Sequence, residues 1–292
     1  MPFLALAFEL GGRDPDAVEA TCFAHGALAV TLCDARDDPI LEPAPGETRL
    51  WPATRLEALF QGDTEPAPLI AALAAELGLP PAAIEQRTVE DRAWEREWMK
   101  DFQPMRFGAR LWVCPRHGSV DDRDAVVLRL DPGLAFGTGT HPTTALCLEW
   151  LDANVRGGED VIDYGCGSGI LAIAAVLLGA RRASCFDIDP QALLATHDNA
   201  QVNGVEERVL ICAETGRLPR GVDLLLANIL AGPLCELAPR FAELVRPGGT
   251  LVLAGLMEHQ ANEVAQAQSP WFDITPFGLR DGWVGLQGTR RP

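Results

Sequence analysis

The sequence predicts an α/β protein of two domains, and three observations lead to this prediction. From residue 161 to the end of the chain, apolar strands alternate with helices, as in a parallel sheet that helices cover on both faces. The first 90 residues contain two copies of a shorter unit of strand, helix and strand. With 292 residues, 48% of them hydrophobic, the chain is long enough for two cores at about 100 to 200 residues per domain.

The N-terminal repeat predicts a smaller ferredoxin-like α+β domain. Its apolar pattern has the order βαββαβ, with elements at residues 3–10, 14–25, 27–33, 55–61, 67–77 and 84–89. Five arginines, no lysine and fifteen Asp plus Glu give these 90 residues a net charge of −10. We discount RNA binding because the basic patch and the stacking aromatics are missing. The acidity either attracts a basic partner or only keeps the domain soluble.

Composition also excludes several classes of protein. The net charge of −17 opposes binding to nucleic acid through its phosphates. No apolar run approaches the roughly 18 residues of a membrane span, and the N-terminus has no basic leader, so we expect a soluble, cytoplasmic protein. The cysteines form no C-x-x-C pair and have no histidine at ligand spacing, which argues against a metal site and against disulfides.

Between the two domains the sequence predicts a connecting helix. Residues 90–102 are rich in helix formers, and Trp94, Trp98 and Phe102 form a stripe that we expect to pack between domains. The predicted organisation is therefore a domain at 1–90, a linker helix at 91–104 and a second domain at 105–292. Residues 106–114 and 125–130 are predicted to form a hairpin at the start of the second domain.

The strongest candidate for a ligand site is the segment 161–175, which predicts a buried strand, a glycine turn and the start of a helix. Alternate glycines let the backbone approach a ligand closely, and the helix directs free N–H groups at it. The spacing is D-x-G-x-G-x-G, and Ile170 interrupts the G-x-G-x-x-G of dinucleotide sites. The pattern favours a different nucleoside, although a tight turn without a ligand has the same local sequence.

Two polar residues are predicted to lie at the ends of the second and fourth strands, at the carboxyl edge of the sheet, where ligands bind in such folds. Asp187 follows the second strand about twenty residues beyond the glycine turn, a position suited to accept both ribose hydroxyls. Asp189, followed by Pro190, is predicted to cap the next helix. Asn228 ends the fourth strand, where its amide either orients a nucleophile, contacts the cofactor or simply bonds the turn.

The loop at residues 131–144 is too rich in Gly, Thr and Pro to be a plain linker, and we expect it to run over the cofactor. Thr143 or Thr144 is predicted to begin the next helix, as a cap or as a ligand contact. His141 is a candidate general base, but a structural role that holds the loop is favoured.

These motifs together resemble a known family. Residues 131–292 resemble the seven-stranded, Rossmann-like S-adenosylmethionine-dependent methyltransferases, and the whole chain is similar to the PrmA family, which methylates ribosomal protein L11 of the large subunit. The similarity is carried by DPGLAFGTGTHPTT at 131–144, VIDYGCGSGILAIAA at 161–175, DIDPQA at 187–192, DNAQVNGV at 198–205 and ANILAGPL at 227–234.

The resemblance implies a function and a set of site residues. It implies S-adenosylmethionine as the cofactor, with contacts at Thr144, Gly165, Asp187 and Asn228, and a basic ribosomal protein as the methyl acceptor. It also implies that the N-terminal domain recognises the substrate and that the linker helix lets it swing. Related enzymes that methylate planar groups follow the Asn or Asp with Pro-Pro and an aromatic, whereas Ile229 and Leu230 stand here. A flexible amine is therefore favoured, on a lysine side chain or the N-terminal α-amine.

Other functions stay open on the sequence alone. A methyltransferase acting on another protein's glutamine or on RNA would share the cofactor site. A dinucleotide-dependent oxidoreductase would use the same sheet, and a non-enzymatic acidic adaptor is a further alternative. No residue stands out as a catalytic base.

Overall fold

The structure, a computed structural model, describes residues 2–36, 50–90, 103–130 and 139–292. The chain divides into two compact units, Met1–Glu97 and Trp98–Pro292. The predicted linker helix falls mostly on residues 91–102, which lie outside the described residues, as does the part of the Gly- and Thr-rich loop at 131–138. Each unit is therefore described by itself.

The N-terminal unit has the predicted ferredoxin-like topology. Its elements are β1 (Phe3–Glu9), α1 (Pro15–Ala24), β2 (Ala29–Asp34), β3 (Thr54–Gln61), α2 (Pro66–Leu77) and β4 (Glu85–Val89). The four strands lie in the order β2-β3-β1-β4, and all neighbouring pairs are antiparallel. Leu6, Phe8, Leu56 and Phe60 alternate along β1 and β3 and pack with Leu73 of α2, which gives the unit its own core.

On the central strand β1, the side chains on the face opposite this core are those of Ala5 and Ala7, and both are almost fully buried. Two ion pairs span this strand: Arg55 on β3 with Glu85 on β4, and Arg87 on β4 with Glu57 on β3. Because alanine side chains are short, the longer side chains of the flanking strands can meet over them. The charges on this face of the sheet therefore neutralise one another.

The second unit begins with a three-stranded sheet that differs from the prediction. Its strands are β5 (Met105–Phe107), β6 (Leu111–Cys114) and β7 (Val126–Arg129). The predicted single strand at 106–114 is broken at Gly108, whose φ of +72° allows β5 and β6 to pair antiparallel. The predicted hairpin with residues 125–130 is wrong, because β7 lies parallel to β6.

The rest of this unit is a seven-stranded sheet with the predicted alternation of strands and helices. Its elements are α3 (Pro142–Asn154), β8 (Asp160–Tyr164), α4 (Ile170–Leu177), β9 (Arg182–Phe186), α5 (Pro190–Val202), β10 (Val209–Ile211), β11 (Val222–Asn228), α6 (Ala231–Glu236), α7 (Ala238–Leu244), β12 (Val245–Met257), α8 (Ala261–Gln268), β13 (Phe272–Arg280) and β14 (Trp283–Arg290). The strand order is β10-β9-β8-β11-β12-β14-β13. Strand β14 runs antiparallel to both of its neighbours.

Helices cover both faces of this sheet over two apolar cores. One core contains the buried side chains of α3 and α4, and the other contains those of α6, α7 and α8. Strand β8 is apolar on both sides, since Val161 belongs to the first core and Ile162 to the second. Among the described residues, none of the helices has both the length and the apolar character that crossing a membrane requires.

Candidate active site

The glycine turn lies at the carboxyl edge of the large sheet, between β8 and α4. Gly165, Gly167 and Gly169 have φ values of +80°, +54° and +77°, a left-handed conformation that is unfavourable for residues other than glycine. The amide of Gly165 donates to the carbonyl of Phe186 on the neighbouring strand at 2.7 Å. The sequence thus uses glycine here because the backbone must reverse direction at the edge while staying bonded to β9.

The space around two of these glycines is also restricted. A Cβ at Gly165 would lie 2.3 Å from Cγ2 of Ile229, which follows β11. A Cβ at Gly169 would lie 2.6 Å from Cγ2 of Thr196 on α5. The turn is therefore packed against two neighbouring segments of the edge, and this close approach fixes the position of its amide groups.

Asp163 supports the turn from inside the sheet. Its carboxylate is 1% exposed and accepts a hydrogen bond from the amide of Ala172, in the first turn of α4, at 3.0 Å. Its other carboxyl oxygen is buried and has no hydrogen-bond partner among the described residues. Burial raises the pKa of Asp163 to about 7; the hydrogen bond from the Ala172 amide opposes this shift, and the negative charge of Asp187 contributes to it. Asp163 ties the start of the helix to the strand below it.

Asp187 lies at the end of β9, beside the glycine turn, as the sequence predicts. One carboxylate oxygen accepts from the amide of Gly167 at 2.9 Å, and the other accepts from the amide of Asp189 at 3.0 Å. Asp189 caps α5 by accepting from the amide of Gln191 at 2.8 Å, and Pro190 is the first residue of that helix. The predicted cap at Asp189 is therefore confirmed, while the ribose contact at Asp187 stays a prediction.

Ile188 is a feature of the edge that reasoning from the sequence missed. Its side chain is 91% exposed, although it stands between two carboxylates that are held by hydrogen bonds. An exposed large apolar side chain beside the carboxylate that is predicted to bind the ribose is suited to contact a flat, apolar base. The signal in the sequence was an isoleucine directly after Asp187, at the point where the buried strand ends.

Thr144 and Asn228 come together from opposite sides of the site. Thr144 is in the first turn of α3 and is 1% exposed, and Asn228 is the last residue of β11. The Asn228 amide nitrogen donates to the Thr144 hydroxyl at 3.4 Å, which is a long hydrogen bond. The two residues are 84 positions apart in sequence, so this contact unites the loop before α3 with the edge of the sheet.

His141, rather than Thr143 or Thr144, caps helix α3. Its Nδ1 accepts from the Thr143 amide at 3.3 Å and lies 2.7 Å from the Thr143 hydroxyl. Burial lowers the pKa of His141, which favours the neutral ring. When Nδ1 acts as the acceptor, the proton of a neutral imidazole is on Nε2. That nitrogen is then unable to take a proton from an amine, so the geometry favours the structural role.

The cysteines have the environment of buried apolar side chains. All eight are free, and six of them are buried: Cys22, Cys114, Cys147, Cys166, Cys185 and Cys212. Burial raises the pKa of Cys22 to about 11, and a hydrogen bond with Cys166, together with burial, raises the pKa of the Cys185 thiol. Thiols of raised pKa are poor nucleophiles at neutral pH.

The arrangement fits a nucleoside ligand. A carboxylate at Asp187 can accept from a ribose diol, and Ile188 provides an apolar surface next to it. The positive φ values of Gly165, Gly167 and Gly169 let the turn lie at the sheet edge beside these two residues. Thr144 and Asn228 bring a hydroxyl and an amide together, and the resemblance assigns both to the cofactor.

Comparison with known proteins agrees with this geometry. The family model described as ribosomal protein L11 methyltransferase (PrmA) matches residues 3–291. The chain is 52% identical over 294 residues to the ribosomal protein L11 methyltransferase of Pseudomonas paraeruginosa, covering 100% of this chain and 99% of that protein. It is 50% identical to the enzyme of the same name from Pseudomonas putida, covering both chains fully. A crystal structure of ribosomal protein L11 methylase from Lactobacillus delbrueckii subsp. bulgaricus superposes with a TM-score of 0.60 at 30% identity, covering 65% of this chain and 100% of that one.

Proposed function

Because this chain belongs to the ribosomal protein L11 methyltransferase (PrmA) family, we propose that it transfers methyl groups from S-adenosylmethionine to amino groups of ribosomal protein L11. The acceptors in this proposal are lysine side chains, the N-terminal α-amine, or both. The observation that carries the proposal is the placement of the glycine turn, Asp187, Thr144 and Asn228 at one edge of a seven-stranded sheet.

In the proposed complex, each of the four predicted residues has a distinct task. Asp187 accepts from the ribose hydroxyls, and Gly165 lets the backbone pass close to the cofactor. Thr144 and Asn228, which share a hydrogen bond, hold the amino-acid end of the cofactor or the incoming nitrogen. Ile188 joins this set as the contact for the base, because its side chain is exposed next to Asp187.

The chemistry requires positioning more than it requires an acid or a base. S-adenosylmethionine supplies an electrophilic methyl group, which the lone pair of a neutral amine attacks in line with the breaking carbon–sulfur bond. Accurate orientation alone can contribute about 7 to 11 kcal/mol toward lowering such a barrier. We assign this orientation to Asn228 and Thr144, whose hydrogen bond to each other fixes both groups.

The acceptor amine has to arrive without its proton. A lysine amine has a pKa of about 10.4 and an α-amine one near 8, so a dry pocket that lowers the pKa assists both. His141 is occupied as the cap of α3, so we assign it no role as a base. Solvent is then the acceptor of the proton, before the amine enters the site.

The acidic N-terminal unit is proposed to recognise the substrate protein. The net charge of −10 on residues 1–90 complements a basic ribosomal protein. The enzyme would therefore meet its substrate in the cytoplasm, where ribosomal proteins are made. The proposal includes no binding to a nucleic acid.

Two measurements test the proposal. Isothermal titration calorimetry should detect binding of S-adenosylmethionine and none of NAD, and the reverse result would rule out the methyltransferase assignment. Incubation with methyl-labelled cofactor and purified ribosomal protein L11 should label the protein. In an undermethylated ribosomal extract, label in RNA or on a glutamine would support the alternative substrates instead.

A further inference from the structure

The proposed cofactor residues occupy only part of the carboxyl edge. Asp187 follows β9, the glycine turn follows β8 and Asn228 ends β11, and these three strands are neighbours in the sheet. The remaining strands on the other side of Asn228 are β12, β14 and β13. Because the cofactor covers the first group of strands, a methyl acceptor has to approach over the second group.

Trp283 stands at this acceptor side. It is the first residue of β14 and pairs in register with Met257, the last residue of β12, so it lies at the same edge as Asn228. A two-residue turn, Asp281 and Gly282, connects it to β13, and both residues have positive φ values of +50° and +79°. Such turns match the twist of the strands that they join, which holds Trp283 in a defined position.

Contacts with helix α3 fix the indole near the site. The rings of Trp283 and His141 meet edge to face, with centroids 4.9 Å apart. His141 caps the helix whose first turn carries Thr144, and Thr144 accepts the hydrogen bond from Asn228. Arg280 at the end of β13 also donates to Glu149 on α3 at 2.8 Å, which fastens the hairpin to the same helix.

The segment after Asn228 is held against the same strands. Gly255 in β12 has a φ of +86°, and a Cβ there would lie 2.3 Å from the carbonyl oxygen of Ile229. Leu230, the next residue, is 55% exposed. Asn228 is thus followed by aliphatic side chains, while the aromatic side chain of this region comes from the β13–β14 hairpin.

We propose that Trp283 is a specificity-determining residue, whose indole forms the wall against which the aliphatic stem of an acceptor lysine packs. This inference rests on the proposed function. A lysine side chain carries four methylene groups that favour an apolar surface, whereas an N-terminal α-amine is attached directly to the backbone and has no such stem. A rigid, flat indole on the acceptor side of the edge therefore favours lysine side chains over the α-amine.

The test compares Trp283→Ala and Trp283→Phe with Trp150→Ala in the full-length enzyme. Trp150 is a half-buried tryptophan further along α3, where it donates to Gln287 at 2.7 Å, and it serves as the matched control. The acceptor is ribosomal protein L11 with methyl-labelled S-adenosylmethionine. The readouts are KM and kcat for the protein, the cofactor Kd from calorimetry, and the ratio of lysine to α-amine methylation from mass spectrometry.

We expect Trp283→Ala to raise KM for ribosomal protein L11 about tenfold and to lower the ratio of lysine to α-amine methylation. In Trp283→Phe, KM and the methylation ratio should stay close to the wild-type values, and in Trp150→Ala both should be unchanged. The cofactor Kd should stay the same, because the wall lies on the acceptor side. If Trp283→Ala melts below the assay temperature, Trp283→Leu removes the flat surface while it keeps an apolar side chain against His141, and the same results are expected.

Three results would overturn the inference. The first is an unchanged KM and an unchanged methylation ratio in a folded Trp283 variant. The second is an equal loss in Trp150→Ala, since the effect would then be general. The third is weaker binding of the cofactor that accounts for the whole loss of methylation, since Trp283 would then act on the cofactor and not on the acceptor. No labelling of ribosomal protein L11 by the wild-type enzyme would overturn the proposed function together with this inference.

Discussion

Replacing Gly165 with alanine should separate the two reasons why glycine occupies this position. The φ of +80° is a left-handed conformation, which costs a residue with a Cβ about 1 to 2 kcal/mol. The added Cβ would also lie 2.3 Å from Cγ2 of Ile229, and relieving such overpacking costs about 1 to 3 kcal/mol more. The free energy of unfolding should therefore fall by about 2 to 5 kcal/mol.

Two further variants assign this loss. Gly221 has nearly the same φ, +75°, but a Cβ there would meet nothing within 4 Å, so Gly221→Ala measures the backbone cost alone. Ile229→Ala in combination with Gly165→Ala removes the clashing methyl group and should recover the second part of the loss. Denaturant unfolding followed by circular dichroism gives each free energy, and calorimetry gives the affinity for S-adenosylmethionine.

The affinity is the decisive readout for function. In Gly165→Ala, either the added methyl group or the shift of Ile229 disturbs the turn, so binding should weaken at least about tenfold, while Gly221→Ala should bind normally. The reasoning is refuted if Gly165→Ala loses no more stability than Gly221→Ala. The assignment of the turn to the cofactor is refuted if its affinity is unchanged.

Three further predictions concern the titratable residues Asp187, Asp163 and His141. Asp187→Ala should weaken S-adenosylmethionine binding about a hundredfold by calorimetry, because the ribose hydroxyls lose two hydrogen bonds to a charged acceptor. Asp189→Ala removes only the cap of α5 and should lower the free energy of unfolding by about 1 kcal/mol. Equal affinities in the two variants would contradict this. The pKa of Asp163 is about 7 in the folded protein, above its ordinary 3.8. As pH rises from about 4 to 7, the wild type should therefore lose on the order of 4 kcal/mol in free energy of unfolding relative to Asp163→Asn, measured by denaturant titration. A difference in free energy that stays constant with pH would contradict this. His141→Asn keeps a capping side chain and should leave the shape of the pH profile of kcat/KM unchanged, whereas loss of a limb near neutral pH would identify a base.

The parts of the site that the sequence predicted are those encoded locally. The glycine turn, the carboxylate at Asp187 and the cap at Asp189 each follow from a residue type within a few positions of a strand end. The sequence of strands and helices along the chain in the N-terminal unit and in the seven-stranded part of the second unit followed from the alternation of apolar segments with helices. Local rules of backbone conformation were sufficient for these features.

The missed features depend on contacts between distant segments. The parallel pairing of β7 with β6 depends on tertiary packing, which a short apolar run leaves undetermined. His141 caps α3 in place of the predicted threonines, and its position is supported by Trp283, 142 residues later. The exposure of Ile188 is likewise invisible in a pattern that marks isoleucine as a core residue. A one-dimensional pattern contains no information on these encounters.

The hydrogen bond between Asp187 and the amide of Gly167 has a consequence for the speed and strength of cofactor capture. It joins the end of β9 to the turn after β8, so the fold itself links the two segments that we propose to hold the nucleoside. Binding then requires little loss of backbone entropy, because that loss occurred on folding. If Asp187 accepts from the ribose, as we propose, the ribose hydroxyls share carboxylate oxygens that already accept from the amides of Gly167 and Asp189. We therefore expect this contact to add less affinity than a free carboxylate would, and to form without rearrangement of the turn.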